Sequence, residues 1–213
     1  MHPDCHDVYS PVARAEPIAE TGRMEPGEPC LLEQALRPWD LVCTPLSARY
    51  GYRMVFLRTA SLIVYYERYE AGMRLRGTAA PNMLAFAAPL RAVPDTRYWK
   101  APQSASGFPC MLPSVLDVTF AEGQRHVIVL IDLSHLRSTL DAEVFSALQT
   151  AASTRLLPAA PQDASAFGGW LLGLLRQVRA QPEILRHPEA VRSIETDLIY
   201  RLEIGRASCR ERV

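Results

Sequence analysis

The side chains of this protein best suited to chemistry are its five histidines and five cysteines, together with aromatic and arginine residues gathered near one stretch of short strands. A catalytic metal needs two or three histidines and a carboxylate or thiolate converging on one ion. The histidines do not supply that pattern. His2 and His6 stand near the start, His135 and His187 at helix starts, and His126 falls in the strand-rich part, in GQRHVIVL, with no H-x-H beside it. Period-two alternation puts His126 on the side of Ile128 and Leu130, where a hydrogen-bonded core histidine is the ordinary outcome. Cys5, Cys30, Cys43, Cys110 and Cys209 are scattered without a C-x-x-C pair, which suits idle or buried thiols better than a zinc knuckle or disulfide framework. G-x-S-x-G, Walker and G-x-G-x-x-G patterns do not occur, so hydrolysis by a nucleophile and nucleotide binding have no foothold. No catalytic residue, metal or cofactor is expected.

Binding chemistry is better represented. Trp39, Tyr65, Phe86, Arg97 and Trp99 offer an apolar wall with an arginine able to clamp a carboxylate, the usual make-up of a small-molecule pocket. The same aromatic residues also fill strand-rich interiors, and Arg97 and Trp99 lie in a loop, DTRYWKAP, that can be surface. Core packing and ligand contact both stay open.

The elements that must position these residues follow from periodicity. Residues 1–28 are rich in Pro, Glu and Ala with few large apolar groups and read as a loose arm. Residues 29–160 read as a β-rich domain with flanking helices, opened by a short helix in CLLEQALR. Strands are expected at Tyr52 to Leu57, Ser61 to Tyr69, Met83 to Leu90, Val115 to Phe120 and Arg125 to Asp132, where β-branched and aromatic residues collect between turn formers. Ala121-Glu122-Gly123-Gln124 reads as the turn of a hairpin joining the last two. Strands without intervening helices indicate an antiparallel sandwich or barrel.

From Ser134, a candidate cap, a helix is expected through Leu136, Leu140, Val144 and Leu148. Asp163 is the candidate cap of a second, whose Phe167, Trp170, Leu171, Leu174, Leu175 and Val178 form a wide apolar stripe. That width suits a symmetric partner, so these six are the candidate dimerisation residues, with packing inside the monomer an equal alternative. A third helix starts near Pro188 and carries Val191, Ile194, Leu198, Ile199 and Leu202 at helical spacing. Residues 161–202 thus read as a helical dimerisation segment, and the fold class as α+β.

From Glu203 the chain reads EIGRASCRERV, with no cap and no apolar face. Back-translated, it is similar to a widely used sequencing adapter, so residues 203–213 read as a foreign tail. Without that tail's three arginines and two glutamates, the 23 basic and 23 acidic residues leave a formal charge of −1. No basic cluster marks a nucleic-acid surface. The start, MHPDCHDVYS, lacks a basic segment followed by an apolar stretch, and no run approaches the roughly 20 apolar residues of a membrane span, which together predict a cytoplasmic protein without a membrane partner. Lys100 is the only lysine among many arginines, alanines and prolines, as in a GC-rich bacterial gene.

The order of arm, short helix, β-rich core and paired helices resembles the N-terminal half of AraC/XylS-type bacterial transcriptional regulators, in the branch whose sensor looks like that of the ethanolamine-utilisation regulator. So does the wording of WDLVCTPLSARYGYRMVFLRTASLIVYYERYEAGMRLRGTAAPNMLAFAAPL and of RLLPAAPQDASAFGGWLLGLLRQV. The resemblance covers roughly Trp39 to Leu202. It implies a cupin-like β-barrel that senses a small-molecule effector, helices that make a homodimer, and a helix-turn-helix DNA-binding domain that would follow and is absent here. Promoter DNA is then a partner only of the full-length protein, and no DNA-contacting residue is carried over to this chain. The alternative is a stand-alone cupin-type small-molecule-binding protein or metal-dependent enzyme. Resequencing the source gene across the Leu202 codon is expected to show in-frame helix-turn-helix patterns; a stop codon or an unrelated domain there would overturn the regulator reading.

Overall fold

The structure, a computed structural model, describes residues 19–210 apart from 92 and 105. Its strands are β1 (Ala19–Met24), β2 (Asp40–Pro45), β3 (Tyr52–Thr59), β4 (Leu62–Tyr69), β5 (Met73–Thr78), β6 (Met83–Pro89), β7 (Arg97–Tyr98), β8 (Ala101–Pro102), β9 (Phe108–Met111), β10 (Val115–Phe120), β11 (Arg125–Asp132) and β12 (Leu156–Leu157). The helices are α1 (Pro29–Ala35), α2 (Leu133–Thr139), α3 (Ala142–Ser153), α4 (Pro161–Ala180) and α5 (Pro188–Arg210), with a 3-10 turn at Pro182–Arg186. One sheet runs in the order β1-β3-β4-β11-β6-β9-β12 and the other β2-β5-β10-β7-β8. The pairings are antiparallel. This is the α+β class expected: two antiparallel sheets followed by paired helices.

Side-chain alternation sorts the core into two layers. In β4, Leu62 and Val64 face the helices, whereas Ile63, Tyr65 and Tyr69 lie between the sheets; in β11, Val127, Val129 and Ile131 face the helices and Leu130 the sheet interior. The sequence of these strands is apolar on both sides for that reason. In β10, Leu116, Val118 and Phe120 point inward, while outward Asp117 accepts two hydrogen bonds from Arg74, at 3.1 and 3.0 Å.

Helix α4 lies on the outer face of the larger sheet. Leu171, Leu175 and Val178 are buried there. Gly168 lets the helix come close, because a Cβ at that position would stand 3.2 Å from Leu90 Cδ2, whereas Gly169 faces open space. Helix α5 begins at Pro188, as expected, and buries Val191, Leu198, Ile199 and Leu202.

Several expectations are corrected. Ala19–Met24, assigned to the loose arm, is an edge strand paired with β3; residues 1–18 of that arm lie outside the described residues. Strands β10 and β11 are not a hairpin. β10 pairs with β5 and β7, β11 with β4 and β6, and the turn between them crosses from sheet to sheet. Gly123, at φ 80, does supply the turn's positive φ. Its N–H and that of Tyr69 tie the turn to the end of β4 (Gly123 N to Tyr69 O 2.9 Å, Tyr69 N to Gln124 O 3.0 Å), so turn chemistry and alternation are satisfied without hairpin pairing.

The single helix expected from Ser134 is two. Asp132, not Ser134, caps α2, accepting from His135 N at 2.9 Å. Ser138 and Thr139 hydroxyls both donate to His135 O at 2.9 Å, competing with the helical ladder, and Leu140 turns extended. Helix α4 starts before its candidate cap, at Pro161, leaving Asp163 in the first turn. The helical backbone of α5 runs on to Arg210, past the point where the sequence shows no helical pattern.

Leu171, at the centre of the α4 interface, is 0% exposed. Leu171→Ala is expected to lower the unfolding free energy by about 2–5 kcal/mol in a urea titration; a loss under about 1 kcal/mol would mean that α4 does not pack on the sheet.

Candidate functional site

Between the two sheets the apolar side chains do not close completely. They leave a cavity of about 50 Å³ with an open mouth, walled by residues of both sheets and by Leu36 and Trp39 just beyond α1. Trp39, Tyr65, Phe86 and Trp99 are among its lining residues, whereas Arg97 is not. Arg97 is exposed and its guanidinium reaches Lys100 O at 3.5 Å, so it is not placed as a carboxylate clamp inside the cavity. Phe86 belongs mainly to the layer facing the helices, its ring 5.9 Å from that of Phe108 and 6.0 Å from that of Phe167.

Trp99 sits at a strained turn. It and Lys100 form the two-residue connection of the β7–β8 hairpin, with φ of 48° and 71°, the geometry that Asn-Gly normally supplies. Tertiary contacts hold it. The indole Nε1 donates to Val115 O at 3.1 Å, the backbone N–H to Asp117 O at 2.8 Å, and the Arg155 guanidinium lies over the ring at 4.7 Å.

One lining residue, Glu67, belongs to a buried polar chain. Glu67 accepts from the Tyr52 hydroxyl at 2.7 Å and the Tyr69 hydroxyl at 3.3 Å, and its Oε2 is 2.6 Å from His126 Nε2. His126 Nδ1 is 3.3 Å from Gln124 Nε2, and Gln124 is held in turn by Thr96 (3.0 Å) and Gln103 (3.2 Å). His126 is therefore the hydrogen-bonded core histidine expected, on the inward side of β11. Burial, and then the neighbouring Glu67 carboxylate, push the Tyr52 and Tyr69 hydroxyls well above the ordinary phenol range, so both remain donors.

Sequence reasoning does not single out Glu67. The signal was present, because Tyr65, Glu67 and Tyr69 share the inward register of β4, and Glu67 stands opposite His126 across the β4–β11 ladder.

Burial also pushes the Cys43 and Cys110 thiols up to about 12, with Glu33 and Glu67 adding to the shift at Cys43. Both thiols therefore stay protonated at neutral pH. Among the described residues no group of three or more His, Cys, Asp or Glu could hold a metal ion, and no helix is long and apolar enough to cross a membrane.

The candidate dimerisation stripe divides. Leu171, Leu175 and Val178 are buried within the chain, and Phe167 packs on Phe86 and Phe108. Trp170 and Leu174 are half-buried beside the groove between α4 and α5, with the Arg201 guanidinium 4.7 Å above the Trp170 ring. Helix α5 is also tied to the larger sheet by Glu195, which accepts from the Ser61 hydroxyl at 2.6 Å and from the Thr59 hydroxyl, at the turn between β3 and β4.

With this geometry in hand, the fold compares with a solved structure, that of the AraC-like transcriptional activator CuxR. The likeness covers 88% of this chain and 70% of that one at a TM-score of 0.58 and 8% sequence identity. It is a likeness of fold. No protein-family model and no curated protein matches the sequence.

His126→Ala would strand the Glu67 carboxylate, 2% exposed, without its closest partner. A loss of about 3–5 kcal/mol in chemical denaturation is expected; an unchanged midpoint would show that the pair is not formed.

Proposed function

We propose that this chain is the effector-sensing and dimerisation region of an AraC-type bacterial transcriptional regulator, acting in the cytoplasm. One observation carries the reading: a fold like that of an AraC-like activator encloses an apolar, aromatic-lined cavity between its sheets. Cavities of this kind, apolar with a few placed polar groups, are where small ligands bind. Trp39, Tyr65 and Trp99 contact the effector, and Phe86 backs the wall. In the homodimer, Trp170 and Leu174 are the stripe residues left for a partner, because Leu171, Leu175 and Val178 are already buried. The reading gives the chain no catalytic role. It assigns promoter contacts to none of residues 19–202.

Regulation by this route requires the effector to bind two conformations with different affinity. Strand β4 carries Tyr65 and Glu67 into the cavity, and the turn before it is held by Glu195 of α5, which gives the cavity a physical connection to the helices.

In a thermal-shift screen of small metabolites against the whole chain, a true effector at about 100 times its Kd is expected to add about 2.7 kcal/mol of stability. Ala87→Leu, which fills the cavity, is expected to remove that gain while the far-UV circular dichroism stays native. A screen in which nothing stabilises the chain, or a gain that Ala87→Leu leaves intact, would sink the reading.

A further inference from the structure

The polar groups of the cavity are unevenly satisfied. Glu67 has three hydrogen-bonding neighbours. Two cavity-lining tyrosines, Tyr65 and Tyr98, have buried hydroxyls with no hydrogen-bond partner among the described residues. Tyr98 is the clearer of the two, since the Tyr65 oxygen has the Trp39 indole as a polar neighbour, though without a hydrogen bond of normal geometry. A buried hydroxyl left unpaired costs free energy that a ligand atom can recover.

The sign of that atom follows from the surroundings. Burial, with Glu67 adding to it, raises both phenols above their ordinary range, so each presents an O–H to donate. Among the described residues, Glu67 is the one acidic side chain in the lining, and no arginine or lysine lines the cavity. An anionic ligand would enter without a counter-charge and face that carboxylate. A cationic ligand would meet a Glu67 carboxylate whose acceptor sites are mostly taken, three of about four, by Tyr52, Tyr69 and His126.

From these constraints we infer that the cavity takes an uncharged, largely apolar ligand bearing one hydrogen-bond-accepting oxygen, such as a ketone, which receives the Tyr98 or Tyr65 hydroxyl. This rests on the reading of the cavity as the effector site and adds the chemical class of the effector.

Three bicyclic probes separate the possibilities: tetralin, 1-tetralone, which adds a carbonyl to the same skeleton, and the anion 1-naphthoate. Each is titrated calorimetrically into the whole chain and into its Tyr98→Phe and Tyr65→Phe variants. The expected result is that 1-tetralone binds about tenfold or more tighter than tetralin, that at least one variant abolishes the difference, and that 1-naphthoate binds weakest. Tyr98→Phe is also expected to keep the parent Tm, because the hydroxyl it removes has no partner in the protein.

Equal binding of tetralin and 1-tetralone, unchanged in both variants, would overturn the inference while leaving the effector-site reading standing. So would preference for 1-naphthoate, or a Tm lowered by many degrees in Tyr98→Phe. If neither tetralin nor 1-tetralone binds, the effector-site reading falls and the inference with it.

Discussion

Strands β4, β11 and β6 are covered on both faces, by helices on one side and by the smaller sheet on the other, and the rest of the molecule is arranged to meet that demand. Their helix-facing residues, among them Val64, Val129 and Phe86, need α4 and α5 to remove them from water. Their other faces need β2, β5 and β10. Either covering alone would leave a sheet of alternating large apolar side chains in solvent, at about 25 cal/mol for each Å² exposed. Edge strands such as β1 have one demanding face at most, and Ala19–Met24 correspondingly carries no β-branched aliphatic or aromatic residue.

Within that apolar interior the Glu67 and His126 pair is the exception, and its location is informative. Buried ionisable groups are tolerated when their hydrogen-bonding capacity is met. Here Tyr52, Tyr69, Gln124, Thr96 and Gln103 meet it in one continuous chain, and the two tyrosine rings serve the core at the same time. The ionisable groups are thus held in one network, and the rest of the cavity lining is apolar apart from the tyrosine hydroxyls and indole N–H groups.

Much of the fold was legible because strong alternation and helical spacing report burial directly. Leu62 to Tyr69, Arg125 to Asp132 and the α4 stripe are cases where the pattern and the packing agree. The inward orientation of His126 was legible for the same reason. Strand pairing was not, since Leu116, Val118 and Phe120 alternate identically whether β10 joins β11 or crosses to the other sheet. Strands β5 and β9 were hidden by arginines, glycine and proline in MRLRGT and FPCM, whose place is fixed by distant partners. For the cavity, Trp39, Tyr65 and Trp99 were legible as aromatic residues near strands. Glu67 and Tyr98 were not, because their significance depends on who is absent or present around them in space.

The carboxylate of Glu195 grips the β3–β4 turn through two hydroxyls, near one end of the strand that lines the cavity. Seen mechanically, this makes the turn a fulcrum and α5 a beam. A helix is stiff along its axis, and every residue beyond the packed stretch from Glu195 to Leu202 lengthens the arm by about 1.5 Å. A tilt too small to disturb the packing beside Glu195 therefore grows in proportion to distance along α5, so the far end of the beam sweeps the widest arc for a given change at the strand.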